Sequence, residues 1–406
     1  MSIPRVLIVA LLGCLSTQSR AEEDFARLLQ SAWEAVRDSY YNPSFDAQAW
    51  QALESRLVAT RHSSSEEAHA GIRSLLAHLN DPAVRFLTEE QAAAFMTEVS
   101  GAAHTGVGLA ELLSIDTHEI TRRITIVTPI PNSPAARAGL LPGDVIASID
   151  DVSTDGMSLA DCATRLRGEA GRDVRLQVVR SNDSLQVILQ RERIQLRTPV
   201  VHTRLQKVDG RKIGYVAIYQ FTEAAGREAR LGIQRLLRQG ASAFVLDLRN
   251  NPGGALPPTL DAAAIFLGEK PIALLSTRNG SSELVARGEL MTDKPLAVLV
   301  NEGSASAAEV LASALQSHRR AILVGTQTFG KGLVHGLETL SDRSALVITR
   351  AHVKTLEGRE ILVRGVKPDV LITMEHSPFL GFTPTEPTSA DDVQFQKAAA
   401  LLISAL

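Results

Sequence analysis

From Ile213 onward the chain alternates short apolar runs with helical patterns, and no other feature constrains its fold as tightly. Ile213 to Ile218, Ala243 to Leu248, Leu296 to Val300 and Ala321 to Val324 read as strands. Between them lie helical patterns from Thr222 to Arg238, after Gly254, and from Ser306 to Leu315. Uninterrupted apolar runs suit strands buried on both faces, and regular alternation with helices predicts an α/β core with mostly parallel strands. Ligands of such folds bind beyond the carboxyl ends of the strands. Two glycine-rich turns, Asn251-Pro252-Gly253-Gly254 and Glu302-Gly303-Ser304, fall at such ends.

With 406 residues there is room for more than one domain, and the expected class is α/β in the core and multidomain α+β overall. Residues 22–102 read as a helical N-terminal region. Phe25, Leu28, Leu29, Ala32 and Val36 share one helical face, as do Ile72, Leu75, Leu76 and Leu79. Ser64 with Glu67 and Thr88 with Gln91 form capping-box patterns, and Asn80-Asp81-Pro82 breaks the chain between them, with Asp81 a turn former. Residues 103–195 read as a compact strand-rich module: strands around Ile124 and Ile146, one helical turn after Ser133, a helix from Ser158 to Leu166, and a hairpin alternating Val174, Leu176, Val178 with Leu185, Val187, Leu189. Residues 196–376 hold the α/β core, and 377–406 a linker and a final helix.

Residues 1–21 have a positive charge at Arg5, an apolar run from Val6 to Leu15 and a polar stretch ending Ser19-Arg20-Ala21 with small residues at Ser19 and Ala21, the layout of a secretory signal cut after Ala21. Leu11-Leu12-Gly13-Cys14 leaves lipidation at Cys14 as the alternative, and with it a lipid anchor. Either route predicts an exported protein, periplasmic or held on the outer face of the inner membrane, or in the thylakoid lumen of a photosynthetic source. Cleavage after Ala21 leaves Cys162 as the only cysteine, so no internal disulfide is expected, and its spacing from Leu159 and Leu166 marks it as a core residue. The net charge of −3 carries no basic footprint, which disfavours a nucleic-acid partner.

The stretch Gly325-Thr326-Gln327-Thr328-Phe329-Gly330-Lys331-Gly332 imitates a phosphate-binding loop. Such a loop needs Ser or Thr after the lysine and then a helix, whereas here Gly332 and a strand-like run follow. A buried lysine can instead shed its proton and serve as general base to a serine, and amides at a helix start supply an oxyanion hole. Ser304 and Ser306 both stand at such a start, with no G-x-S-x-G around them and no histidine or aspartate within ten residues. The residues alone leave either serine as the nucleophile. Asp247 and Arg249 read as structural ion-pair partners, and the histidines show no metal spacing, so neither metal nor cofactor is expected.

Gly303-Ser304-Ala305-Ser306-Ala307-Ala308-Glu309, Thr328-Phe329-Gly330-Lys331-Gly332 and Asp247-Leu248-Arg249-Asn250-Asn251-Pro252-Gly253-Gly254, with Thr105-Gly106-Val107-Gly108-Leu109 and Gly365-Val366-Lys367-Pro368-Asp369, strongly resemble the carboxyl-terminal processing (tail-specific) serine proteases. Several are similar to the subgroup that processes the photosystem II reaction-centre precursor. The resemblance implies a core of the crotonase/ClpP-like ββα type, Ser306 as nucleophile, Lys331 as its base, and an oxyanion hole from Ala307 and either Gly253 or Gly254. Ser304 then becomes a turn residue. Relatives carry glutamine four residues after the lysine, where it orients the amine; this chain has His335, which can hydrogen-bond when neutral and repels the ammonium when protonated.

By the same resemblance the strand-rich module is a PDZ domain, with Gly106, Val107, Gly108 and Leu109 as its carboxylate-binding loop. The implied activity is a serine endopeptidase acting on protein or peptide substrates with free, usually apolar C-termini, the module gating access to the site. A catalytically silent peptide-binding protein is the alternative, and a different acyl-transfer enzyme a weaker one. An adaptor protein and an oligomeric assembly stay open.

Overall fold

The computed structural model describes residues 24–60, 62–100, 102–116, 119–194, 199–373 and 388–406; the expected leader over residues 1–21, with Cys14, lies outside them. The chain divides into two compact units. The first runs to Ala94 and includes Thr277–Asn279 and Val334–Ala351; the second comprises Phe95–Ser276, Gly280–Leu333 and His352–Leu406.

The first unit is built on helices over 24–39, Ala47–Ala59 and Ser65–Ala77. Leu28, Leu29, Ala32 and Val36 are buried together with Ile72, Leu75 and Leu76, so the two predicted faces meet in one core. Trp33 and Trp50 lock it by exchanging bonds, each indole N–H donating to the other's carbonyl at 2.8 and 3.2 Å. Burial of such side chains stabilises by roughly 1.5–3 kcal/mol each. Ser64 accepts the Glu67 N–H at 3.2 Å, and Thr88 and Gln91 reciprocate, as their spacing predicts. Asp81 does more than turn the chain, because its carboxylate also accepts the Tyr40 hydroxyl at 3.1 Å. Strand Arg85–Leu87 pairs antiparallel with residues 345–347, so a late stretch of chain completes the N-terminal core through Leu340, Leu346 and Ile348.

In the second unit the strand-rich module is a sheet of Leu109–Asp116, Glu119–Pro129, Val145–Ile149, Asp173–Arg180 and Asp183–Gln190, in that order, with Val152–Ser153 on its flank. The predicted hairpin forms in register, Val174 opposite Leu189 and Val178 opposite Leu185. Helices Pro134–Arg137 and Leu159–Leu166 start on Ser133 and Ser158, whose side chains accept the Ala136 and Asp161 amides. Cys162 is fully buried in this core, and burial pushes its thiol up to about 12, so it packs as a small hydrophobe.

The α/β core is a six-stranded sheet in the order Val201–Val208, Arg211–Ile218, Ala243–Asp247, Leu296–Val300, Ile322–Gly325 and Val370–Leu371. Only the first pair is antiparallel. The strands Ala243–Asp247 and Leu296–Val300 are buried at every residue, as expected for strands covered on both faces. Helices Ala225–Arg238, Leu256–Leu267 and Ala307–Ser317 pack side by side along the sheet. The C-terminal helix Val393–Ser404 presses Phe395, Ala398, Ala399 and Leu402 against Tyr215, Val245 and Leu299. The helix predicted from Thr222 begins at Ala225, because Thr222 to Ala224 form a turn in which the Thr222 carbonyl accepts the Ala225 N–H.

Candidate active site

Strands Ala243–Asp247 and Leu296–Val300 lie parallel, with Asp247 beside Leu299, so the turns that follow them emerge together at one sheet end. Side chains stitch the two turns into one body. The Ser304 hydroxyl donates to the Leu248 carbonyl at 2.8 Å and accepts the Asn301 N–H at 3.0 Å. Asn301 accepts the Asn250 N–H and donates to the Asn250 side chain, and the Ala305 N–H donates to the Asn251 carbonyl. Ser304 is thus a fully buried turn residue with its hydroxyl committed.

Ser306 has φ 53° and ψ −119°, a left-handed conformation that costs a non-glycine residue on the order of 1–3 kcal/mol and persists where the surroundings enforce it. The enforcement comes from Glu309. Its carboxylate, fully buried, accepts the Ser306 N–H on Oε2 at 2.8 Å. The same oxygen accepts the Lys331 N–H at 2.8 Å, while Oε1 accepts the Gly330 N–H at 2.8 Å and the Thr328 hydroxyl at 2.5 Å. One carboxylate therefore holds the Ser306 turn and the Lys331 loop together. Burial pushes Glu309 up to about 7, against the four hydrogen bonds that favour its charge.

The lysine loop is fixed from its other side too. Phe329 N–H donates to the Ser304 carbonyl at 3.0 Å, and Val363 N–H to the Gly330 carbonyl at 2.8 Å. A side chain on Gly332 would lie 2.4 Å from the Leu362 nitrogen, which explains a glycine there. Lys331 itself is 7 % exposed, and the strand Leu333–Thr339 follows it, where a nucleotide loop would need a helix.

Gly253 has φ 99°, and a Cβ on it would lie 2.6 Å from the Ser306 Cβ and 2.9 Å from the Ala307 nitrogen. Its N–H is already given to the Asn251 side chain at 2.8 Å. The Gly254 and Ala307 amides have no hydrogen-bond partner among the described residues, and Gly254 is exposed. At the base of this turn the partly buried Arg249 forks between Asp247 at 2.6 Å and Asp392 at 2.8 Å, with Tyr215 also donating to Asp247. The ion pair expected from Asp247 and Arg249 is present, and it extends to the C-terminal helix.

In the strand-rich module Gly106, Val107 and Gly108 are buried, and Leu109 opens the edge strand. The Val107 carbonyl accepts the Ala135 N–H, and the Gly108 carbonyl accepts the Ile130 N–H and the Ser133 hydroxyl. Gly108 is obligatory, since a Cβ there would lie 2.1 Å from the Ser133 Cβ. The neighbouring strand reaches the two stitched turns: Thr128 Oγ1 lies 3.0 Å from where a Gly303 Cβ would be, and Val127 packs on Ala305 and Phe329.

The structure thus brings Ser306, Ala307, Lys331, Gly253 and Gly254 together. His335 falls in the other unit, on the strand Leu333–Thr339, and its assignment rests on the resemblance alone. The sequence reading missed Glu309, although Ser306-x-x-Glu309 is the same pattern that marked Ser64 and Thr88. Among the described residues no helix is long and apolar enough to cross a membrane.

Residues 212–372 match peptidase family S41, and residues 125–180 match a PDZ domain. Over 379 residues the chain is 38% identical to a carboxyl-terminal-processing protease of Synechocystis sp., covering 93% of this chain and 86% of that protein. Over 381 residues it is 33% identical to the chloroplastic carboxyl-terminal-processing peptidase 2 of Arabidopsis thaliana, covering 90% and 73%. Among solved structures, a photosystem II D1 C-terminal processing protease superposes with a TM-score of 0.76 at 32% identity, covering 86% of this chain and 93% of that one. With this agreement along nearly its whole length, the chain belongs to peptidase family S41 and is a serine endopeptidase of the carboxyl-terminal-processing group, carrying a PDZ domain.

Proposed function

We propose that the protein binds exposed apolar C-termini of protein substrates in its PDZ module and cleaves the chain near them with a Ser306–Lys331 dyad. The observation that carries this reading is the shared Glu309 oxygen, which holds the Ser306 and Lys331 amides as close neighbours. Lys331 takes the proton of the Ser306 hydroxyl through Nζ while Oγ attacks the scissile carbonyl carbon. The oxyanion forms against the Ala307 and Gly254 amides; Gly254 is preferred over Gly253 because the Gly253 N–H is spent on Asn251. Collapse breaks the C–N bond, the lysine ammonium returns its proton to the leaving amine, and water releases the acyl group by the same steps in reverse.

The Val107 and Gly108 carbonyls turn toward Ala135, Ile130 and Ser133, which supports a reading in which amides of the Gly106 to Leu109 loop meet a terminal carboxylate. The approach of Thr128 and Val127 to the catalytic turns supports a route by which peptide in the module gates the site. We place the protein outside the cytoplasm, on the signal-like residues 1–21. The test is cleavage of an unstructured substrate with an apolar tail, offered with a free and with an amidated C-terminus. The free form is cut faster; equal rates would remove C-terminal recognition, and no cleavage of either would remove the protease assignment for this substrate class.

A further inference from the structure

A helix ends beside the carboxylate-binding loop, and its polarity is wrong for an anion. The helix Leu159–Leu166 points its C-terminus at Gly106: a Cβ on Gly106 would lie 3.8 Å from the Leu166 carbonyl oxygen and 4.0 Å from Arg167 Cγ. The last carbonyls of a helix carry partial negative charge, which repels a carboxylate.

Arg191 answers that charge. Its guanidinium donates from Nε to the Leu166 carbonyl at 3.2 Å, from Nη2 to the Arg165 carbonyl at 2.8 Å and from Nη1 to the Asp173 carbonyl at 2.9 Å. The residue is 9 % exposed, and its nearest carboxylate, Asp150, stands 4.0 Å away with the Arg175 N–H already bonded to it. The cation is therefore spent mainly on backbone oxygens. Gly168, with φ 147°, makes the space: a Cβ there would lie 3.1 Å from Arg191 Cδ and Nε. Arg167 pairs with Glu98, so the two charges of that pair largely cancel.

We propose that Arg191 is a positioning residue for substrate recognition, a guanidinium that takes the terminal carbonyls of the helix Leu159–Leu166 so that the loop beside them can accept a peptide carboxylate. This rests on the reading that the Gly106 to Leu109 loop binds free C-termini. Arg191 does not touch the peptide. It acts through the helix end, so its removal weakens binding of a carboxylate and spares the same peptide without one.

The test uses the full chain carrying Ser306→Ala, which prevents cleavage, and a fluorescent peptide with an apolar end prepared as free acid and as amide. The parent chain, with Arg191 in place, binds the acid more tightly than the amide. Arg191→Met lowers affinity for the acid about tenfold, the scale of a helix-end charge in a partly buried site, and leaves the amide unchanged. Arg191→Lys, which keeps the charge without the fork, falls between. In the active chain Arg191→Met raises KM for a tailed substrate and leaves kcat in place. Equal losses for acid and amide, or no loss for either, would overturn the proposal. If Arg191→Met does not fold, Arg191→Lys decides it: an acid preference as large as that of the parent overturns it. A parent chain that shows no acid preference would instead overturn the underlying reading of the loop.

Discussion

Ser306 and Lys331 donate their backbone N–H groups to one oxygen, Glu309 Oε2, at 2.8 Å each. The proposed nucleophile and base are therefore held by a third side chain, in the way a carboxylate orients histidine in the more familiar triad, but through backbone amides. Glutamine at 309 would set an NH2 against at least one of the donors that now meet an oxygen. For Glu309→Gln we predict a fall in kcat/KM of about 100-fold, and a loss of stability of about 1–3 kcal/mol for the unsatisfied group. Peptide binding by the PDZ module stays as it was, so cleavage and binding assays on one preparation separate the two effects.

Glu309 also gives the pH dependence a sign. Burial lifts it from 4.5 to about 7, so the folded protein holds this proton over a range in which the unfolded chain has released it. The stabilisation is complete below the unfolded value, declines as pH rises toward about 7, and is absent above it. Relative to Glu309→Gln, the wild type should lose on the order of 3 kcal/mol between those limits, read as the difference in denaturant midpoints across pH. Cleavage runs the other way. A protonated Glu309 puts a donor among donors, so the rate should climb as pH approaches 7; a rate independent of pH over that interval would remove Glu309 from the account.

Gly253 is the wall of the site. A methyl group there meets Ser306 Cβ at 2.6 Å and the Ala305 carbonyl at 2.9 Å, in a conformation with φ 99°. Gly253→Ala is expected to abolish cleavage and to lower stability by about 1–3 kcal/mol, measured by thermal unfolding.

Asp392 ties the C-terminal helix to the turn before Gly253. It pairs with Arg249 and caps the helix by accepting the Phe395 N–H at 3.0 Å. Asp392→Ala removes both and should cost about 3 kcal/mol. Hydrogen exchange would then rise along the helix Val393–Ser404, and cleavage would slow even though the change lies outside the reacting groups.

Much of this was legible in the sequence because it depends on local pattern. The alternation after Ile213 revealed the α/β core, and alternate Val174, Leu176 and Val178 revealed a half-buried sheet. What escaped depends on burial or on distance along the chain. Glu309 reads as an ordinary helix glutamate until its carboxylate is seen to be fully buried under the lysine loop. The choice between Gly253 and Gly254 turns on Asn251 consuming one amide. The pairing of Arg249 with Asp392 spans 143 residues, and the return of Leu346 and Ile348 into the N-terminal core joins parts of the chain that no local pattern relates.

The most direct measurement is mass-spectrometric detection of fragments released from an unstructured substrate with a free apolar C-terminus, comparing the wild type with Ser306→Ala and Lys331→Ala. The account predicts defined fragments from the wild type and none from either variant, with both variants folded and still binding the tail. Fragments released by Ser306→Ala at the wild-type rate would contradict it.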